Sequence, residues 1–221
     1  MTLRSYIQNL KDNGSLVEID QEISKTFEIA GVLKDLEPAV IKCNSVKESD
    51  FPVIGNLLPT KQSFADYFGI SPDEIIPILQ NAIDNPTAPE VVETAPCQEV
   101  VVESPSLDDL PILMHCEEDG GNYISSGVFL ARHPEHGQNA DFHRSMQFSL
   151  TEMSVRIVKG RHFDHFLNDL GQLEVAICIG NSPAVLASAA TSVELGDDEL
   201  HIANTLKPMK LVKAINSDIL I

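Results

Sequence analysis

Three side chains that are far apart in the sequence have the chemistry to bind one divalent metal ion. They are Asn139, His162 and Glu199. An amide oxygen, an imidazole nitrogen and a carboxylate form a mixed ligand set that suits Mn²⁺ better than zinc, and phosphate oxygens can fill the remaining positions. Two of these residues also have an ordinary structural explanation. Asn139 could occupy a turn, and Glu199 could favour the dipole at a helix N-terminus.

Positive charge is concentrated near two of these residues. Five of the seven histidines lie between His133 and His165. Five of the 15 lysines and arginines lie between Arg132 and Arg161, namely Arg132, Arg144, Arg156, Lys159 and Arg161. The guanidinium of Arg144, five residues after Asn139, offers a planar fork for a carboxylate or a phosphate. The stretch therefore predicts a site for an anionic ligand, with chance clustering as the alternative.

Two other features could carry chemistry. The pair His162 and His165 and the turn-like sequence at 133–137, HPEHG, both suggest zinc. We disfavour zinc because the pair opens a predicted helix without a glutamate base, and histidines in a Pro/Gly turn are usually solvated. Gly120 and Gly121 precede a predicted strand, where they could allow close approach of a ligand or form an ordinary hairpin entry.

The composition of the 221 residues is that of an ordinary soluble protein, 43% hydrophobic and 22% charged. The net charge of −18 argues against nucleic-acid binding, which requires a basic face. No apolar run approaches the roughly 18–20 residues that cross a bilayer, and the amphipathic start is unlike a signal peptide. Four cysteines without C-x-x-C spacing fit a reducing compartment. We expect a cytoplasmic protein.

The first 85 residues alternate helical and extended patterns, as in a small α/β unit. Helix-capping and helix-ending residues mark several boundaries of these elements. The predicted elements are a helix from Leu3 capped by Thr2, a strand at Leu16–Ile19, a helix from Thr26 to Leu36, a strand within Pro38–Cys43, and a helix that follows a capping box at Ser71 and runs towards Asp84.

A proline-rich linker and a β-rich body are predicted for the rest of the chain. Five prolines mark the linker, Asn85–Pro111, in which Glu99–Glu103 is the predicted edge strand. From Ile124 onward, three β-rich segments favour a closed or half-closed antiparallel sheet. The other predicted elements are helices at Phe163–Leu170 and Pro183–Ala190 and a strand at Lys210–Ala214. The apolar last residues suggest an end inside a domain.

Together these segments resemble the UbiD family of decarboxylases over nearly the whole chain. The resemblance is carried by the N-terminal helical unit and by four segments in the family's order: LPILMHCEEDGGNYISSGVFLARHPEHGQNADFHRSMQ, VRIVKGRHF, VAICIGNSPAVLASAA and DDELHIANTL. It implies an α+β fold, with an N-terminal α/β unit and linker in residues 1–110 and a split β-barrel that holds flavin in residues 111–221. A C-terminal oligomerisation domain would follow.

The resemblance also implies the cofactor and the residues that hold it. The family uses prenylated FMN, whose phosphate is held through Mn²⁺ or Mg²⁺, with K⁺ nearby. The implied metal ligands are Asn139, His162 and Glu199, and Arg144 matches the catalytic arginine. The implied flavin-binding residues are Asn139, Phe142, His143, Arg144, Arg156, Ile157, Val158, Arg161, His162 and Glu199, and Ala187–Ala189 would contact potassium.

The implied reaction is reversible, non-oxidative decarboxylation of an unsaturated or aromatic acid, with the cofactor as electron sink. Arg144 would pair with the substrate carboxylate. The family's proton-donating acid is not matched, because the only acid between Lys207 and Ile221 is Asp218. The motif Asn-x-x-x-His-Arg resembles archaeal-type members, including those acting on trans-anhydromevalonate 5-phosphate in isoprenoid synthesis. A hydroxybenzoate-type acid is the alternative substrate.

Three hypotheses remain open. The first is a decarboxylase that acts on a small carboxylic acid, obtains its cofactor from a flavin prenyltransferase, and forms a homo-oligomer or is completed by a C-terminal polypeptide. The second is a flavin- or metal-binding subunit without activity of its own. The third is a metal-dependent hydrolase that uses Asn139, His162 and Glu199 without flavin.

Overall fold

The computed structural model describes residues 2–221, which form a mixed fold of helices and strands, as the sequence predicts. The helices are α1 Leu3–Asp12, α2 Glu28–Asp35, α3 Lys61–Phe68, α4 Ile75–Asp84, α5 His162–Leu170, α6 Pro183–Ala189 and α7 Glu199–Leu206. The strands are β1 Leu16–Ile19, β2 Val40–Cys43, β3 Val53–Gly55, β4 Glu90–Val92, β5 Tyr123–Ile124, β6 Val128–His133, β7 Gly137–Phe142, β8 Ser145–Gln147, β9 Met153–Val155, β10 Ala176–Cys178 and β11 Lys210–Val212.

The N-terminal unit is built around the three-stranded sheet β1-β2-β3. β1 and β2 are parallel, and β3 is antiparallel to β2. Side chains of a strand alternate between the two faces of its sheet. Accordingly, Ile41 packs with Ile29 of α2, whereas the adjacent Val40 packs with Tyr6 of α1 and Tyr67 of α3. Helices therefore cover both faces of β2.

Two boundaries differ from the sequence prediction because of contacts with distant segments. The second helix begins at Glu28, since Thr26 forms a β-bridge with Met114 and the N–H of Phe27 donates to the carbonyl of Met114. The predicted edge strand Glu99–Glu103 is wrong. The linker strand is β4, which pairs in parallel with β11, about 120 residues later in the chain.

The sheet β10-β6-β7 is the central layer of the second half of the chain. Val128 and Leu130 of β6 pack into a core with α6 and α7, and Phe129 and Ala131 pack on the opposite face with α5. A strand buried on both faces has a continuous apolar sequence. β7 lies at the edge of this sheet, with helices above and below it.

Three other strands of this half form a separate antiparallel sheet, β5-β8-β9. The β-rich body predicted from Ile124 onward thus contains two three-stranded antiparallel sheets. They are joined directly in sequence, because only His143 and Arg144 separate β7 from β8. Among residues 2–221, there is no helix with the length and apolar character needed to span a membrane.

Candidate functional site

Two helices bring polar side chains to the free edge of β7. α5 covers one face of the strand and begins at His162, and α7 covers the other face and begins at Glu199. Asn139 pairs with Ala131 across the sheet, so its side chain shares the face covered by α5. The three residues therefore meet because the sheet is covered on both sides.

Hydrogen bonds join the three side chains. Nδ2 of Asn139 donates to Oε1 of Glu199 at 2.6 Å and lies 3.2 Å from Nδ1 of His162. The N–H of Ala140 points away from β6 and donates to Oε2 of Glu199 at 2.8 Å. An edge strand leaves alternate backbone groups unpaired, so the carboxylate of Glu199 satisfies a donor that the sheet does not.

The base of the site is buried and contains an unpaired acceptor. Asn139 and Glu199 are 2% and 3% exposed, and Oδ1 of Asn139 has no hydrogen-bond partner among the described residues. Burial raises the pKa of Glu199 to about 8, and burial also lowers the pKa of His162. Both shifts have the same physical cause, because removing water disfavours the charged form. A cation at this position would relieve the cost of an ionised Glu199.

A cavity of about 380 Å³ opens above this base. Its rim carries three exposed arginines, Arg144, Arg156 and Arg161. Arg161 Nη1 donates to Oγ of Ser192 at 3.3 Å. Within residues 2–221 none of the three forms an ion pair with an acidic side chain. The cavity thus combines a buried mixed ligand set with three arginines that are not engaged in ion pairs within the described chain.

Most of the residues that the sequence suggested for the site line this cavity, and they include Phe142, His143 and Val158. Ile157 instead packs against the core beneath α5. Ala187–Ala189, suggested as potassium contacts, form the end of α6, and the cavity wall begins at the next residue.

The structure adds residues that sequence reasoning did not assign. Asp141 lines the cavity, and so does the segment 190–193. Strand alternation could have identified Asp141, because it lies two residues after Asn139 and so shares its face of β7. No sequence signal identified 190–193, whose position depends on how α6 ends.

The alternative features have structural explanations. Nδ1 of His133 accepts hydrogen bonds from the N–H groups of Glu135 and His136, so it stabilises the turn after β6. No group of three His, Cys, Asp or Glu side chains in the described chain is placed to hold a metal ion. Gly120 and Gly121 lie against the side chain of Met146 and do not line the cavity.

Comparison with known proteins identifies the family of the chain. Residues 90–221 match the model of the 3-octaprenyl-4-hydroxybenzoate carboxy-lyase Rift-related domain, called UbiD, and residues 7–83 match the N-terminal domain of the same carboxy-lyase. These matches together cover most of the chain. The chain therefore belongs to the UbiD family.

Several of the similar curated proteins are archaeal decarboxylases. The chain is 34% identical, over 92% of its length, to anhydromevalonate phosphate decarboxylase of Methanothermobacter thermautotrophicus, and 33% identical, over 90%, to that of Methanosarcina mazei. These alignments include 48% and 47% of the two relatives. The chain thus spans about half the length of the curated relatives it matches.

Solved structures show the same fold. An evolved dimeric form of the UbiD-class enzyme HmfF from Pelotomaculum thermopropionicum, in complex with prFMN, superposes with a TM-score of 0.95 at 31% identity. The superposition covers all of this chain and 54% of that chain. Vanillic acid decarboxylase from Sedimentibacter hydroxybenzoicus has a TM-score of 0.92 at 23% identity, which supports the fold alone.

Proposed function

We propose that this chain is the cofactor-binding part of a UbiD-type decarboxylase and binds prenylated FMN through a divalent cation. The observation that carries the proposal is the convergence of Asn139, His162 and Glu199 at the buried base of an arginine-rimmed cavity. Two similar structures, both of HmfF, are complexes with prFMN and with FMN. Their flavins support the same class of cofactor for this chain.

The residues present fit a divalent cation. Oδ1 of Asn139 is buried and unpaired, and hard cations prefer oxygen ligands of this kind. Together with the imidazole and the carboxylate, it gives a donor set suited to Mn²⁺ or Mg²⁺. α5 and α7 both begin at the cavity, and helix N-termini favour phosphate. K⁺ is proposed from the family resemblance only, because Ala187–Ala189 do not line the cavity.

The protein's own part in catalysis is to bind and orient. When bound, the prenylated flavin supplies an electron sink for the carbon that loses CO₂. We propose that Arg144 pairs with the carboxylate that leaves, since a guanidinium binds a carboxylate through two parallel hydrogen bonds.

We propose that the substrate carries a phosphate in addition to its carboxylate. One arginine suffices for the carboxylate, which leaves Arg156 and Arg161 without acidic partners at the rim. A phosphate bears up to two negative charges and suits two guanidinium groups. The names of the archaeal relatives favour anhydromevalonate phosphate over a hydroxybenzoate-type acid.

A proton donor for the product carbon is expected outside this part of the sequence. Asp218, the only acid after Lys207, is 82% exposed, is paired with Lys213 and does not line the cavity. We therefore propose that residues equivalent to the second half of the relatives complete the enzyme. Alone, the chain would act as a flavin-binding subunit. A cytoplasmic location, an oligomeric enzyme and a flavin prenyltransferase as cofactor supplier complete the proposal.

Flavin binding that depends on a metal tests this function. FMN should bind to the purified protein in Mn²⁺ and dissociate in EDTA, and its fluorescence reports both events. A metal-dependent hydrolase would bind Mn²⁺ and no flavin. Failure to bind FMN and prenylated FMN in the presence of Mn²⁺ would refute the proposal.

A further inference from the structure

His143 lies between two sheets and directly before Arg144, with a ring fixed by packing. Only 7% of the residue is exposed. The ring centroid is 4.3 Å from that of Phe163 and 5.4 Å from that of Phe129. Both phenylalanines belong to the core beneath α5. The orientation of the imidazole is therefore set before any ligand binds.

Two hydrogen bonds hold the backbone of Arg156. Its N–H donates to the carbonyl of Arg144 at 3.1 Å, and its carbonyl lies 3.3 Å from Nδ1 of His143. Because a carbonyl only accepts, Nδ1 is the nitrogen that carries the proton in this contact. Both backbone polar groups of Arg156 are thus bonded to the short segment His143-Arg144.

The imidazole contributes something that a phenyl ring would not. Nε2 of His143 is buried and has no partner among the described residues. A buried polar atom without a partner is unfavourable, and phenylalanine would fill the same stack without that cost. The donor at Nδ1 is therefore the distinguishing feature of histidine at this position.

We propose that His143 is a positioning residue that holds Arg144 and Arg156 at a fixed separation on the cavity rim. A fixed backbone limits where the two guanidinium groups can lie, so less conformational freedom is lost when they bind an anion. The inference rests on the proposed function for the identity of that anion. The hydrogen bonds that join His143-Arg144 to Arg156, which we call the clamp, are a property of the protein without ligand. The clamp and the proposed function can therefore be refuted separately.

Two variants separate the donor from the ring. His143→Phe keeps the aromatic stack and removes the donor, whereas His143→Asn removes the ring and keeps a donor nitrogen at the same number of bonds from Cα. His136→Phe is a matched control, because His136 stacks on His133 and Phe166 and lies outside the cavity.

Hydrogen exchange reports the clamp directly. In peptides that cover residues 144–158, His143→Phe should accelerate exchange of the Arg156 amide at least about tenfold, because exchange requires local opening. His143→Asn should recover most of the protection, and His136→Phe should leave it unchanged. Unchanged exchange in His143→Phe, or equal acceleration in the Phe and Asn variants of His143, would overturn the proposal.

Binding of trans-anhydromevalonate 5-phosphate, which carries a carboxylate and a phosphate, to the protein loaded with FMN and Mn²⁺ reports the consequence. His143→Phe should weaken binding of this acid by about tenfold, and His136→Phe should leave it unchanged. Faster exchange with wild-type affinity for the acid would also overturn the positioning role. If the wild-type protein bound no FMN, the proposed function would fail, and the exchange rates would still decide whether the clamp exists.

Discussion

Replacing Glu199 with glutamine removes the proposed anionic metal ligand while preserving the size of the side chain. The glutamine amide keeps one oxygen that can accept a hydrogen bond from Asn139 or from the N–H of Ala140. In the metal-free protein Glu199 is largely neutral near pH 7, because burial raises its pKa to about 8. We expect Glu199→Gln to cost about 1–2 kcal/mol of stability, the value of one buried hydrogen bond.

The stabilisation by Mn²⁺ should also fall. At a free concentration of one hundred times Kd, a ligand adds about 2.7 kcal/mol to the stability of the folded state. For a chain of this length, that raises Tm by roughly 5–11 °C. If loss of the carboxylate weakens Mn²⁺ by about 100-fold, the same concentration adds only about 0.4 kcal/mol, or roughly 1 °C.

The assay is thermal unfolding of each protein with and without Mn²⁺. Each protein is compared with itself, so the lower starting stability of Glu199→Gln does not affect the result. Asp218→Asn is the matched control, since Asp218 is an exposed acid outside the cavity. A full Mn²⁺ response in Glu199→Gln would refute the ligand assignment.

Other outcomes test separate parts of the structure. Arg144→Ala should still bind flavin but lose CO₂ release in a completed enzyme, and unchanged turnover would remove Arg144 from the mechanism. Gly127→Ala should cost about 1–3 kcal/mol in urea unfolding, because its Cβ would lie 2.8 Å from Cγ2 of Ile124; a wild-type midpoint would contradict this. Burial raises the pKa of Cys178 to about 11, so only about one thiol in a thousand is ionised at pH 8. Ellman's reagent should label the exposed Cys97 long before Cys178, and equal rates would contradict the burial.

Local signals in the sequence predicted the elements whose boundaries are set locally. The side chain of Thr2 caps α1, and Ser71 and Glu74 form the expected capping box before α4. The linker strand was misplaced because the valines of Glu99–Glu103 have a stronger strand propensity than β4. The pairing of β4 with β11 decides its position instead, and neighbouring sequence carries no signal for a partner so distant.

The buried part of the site was more predictable than its walls. Asn139, His162 and Glu199 have side chains that suit one cation, and the family resemblance singles them out together; they meet because helices cover both faces of the sheet. Ile157 packs against the core instead of lining the cavity because of the direction of its side chain. Residues 190–193 line the cavity because of where α6 ends. Those are consequences of packing that residue type does not specify.

The most direct test of the central claim is an anomalous diffraction measurement on crystals grown with Mn²⁺ and FMN. We expect one strong manganese peak in contact with Oδ1 of Asn139, a ring nitrogen of His162 and the carboxylate of Glu199, with the flavin phosphate completing the coordination. A bound flavin whose phosphate is held without manganese, or a manganese peak away from these three side chains, would contradict the account.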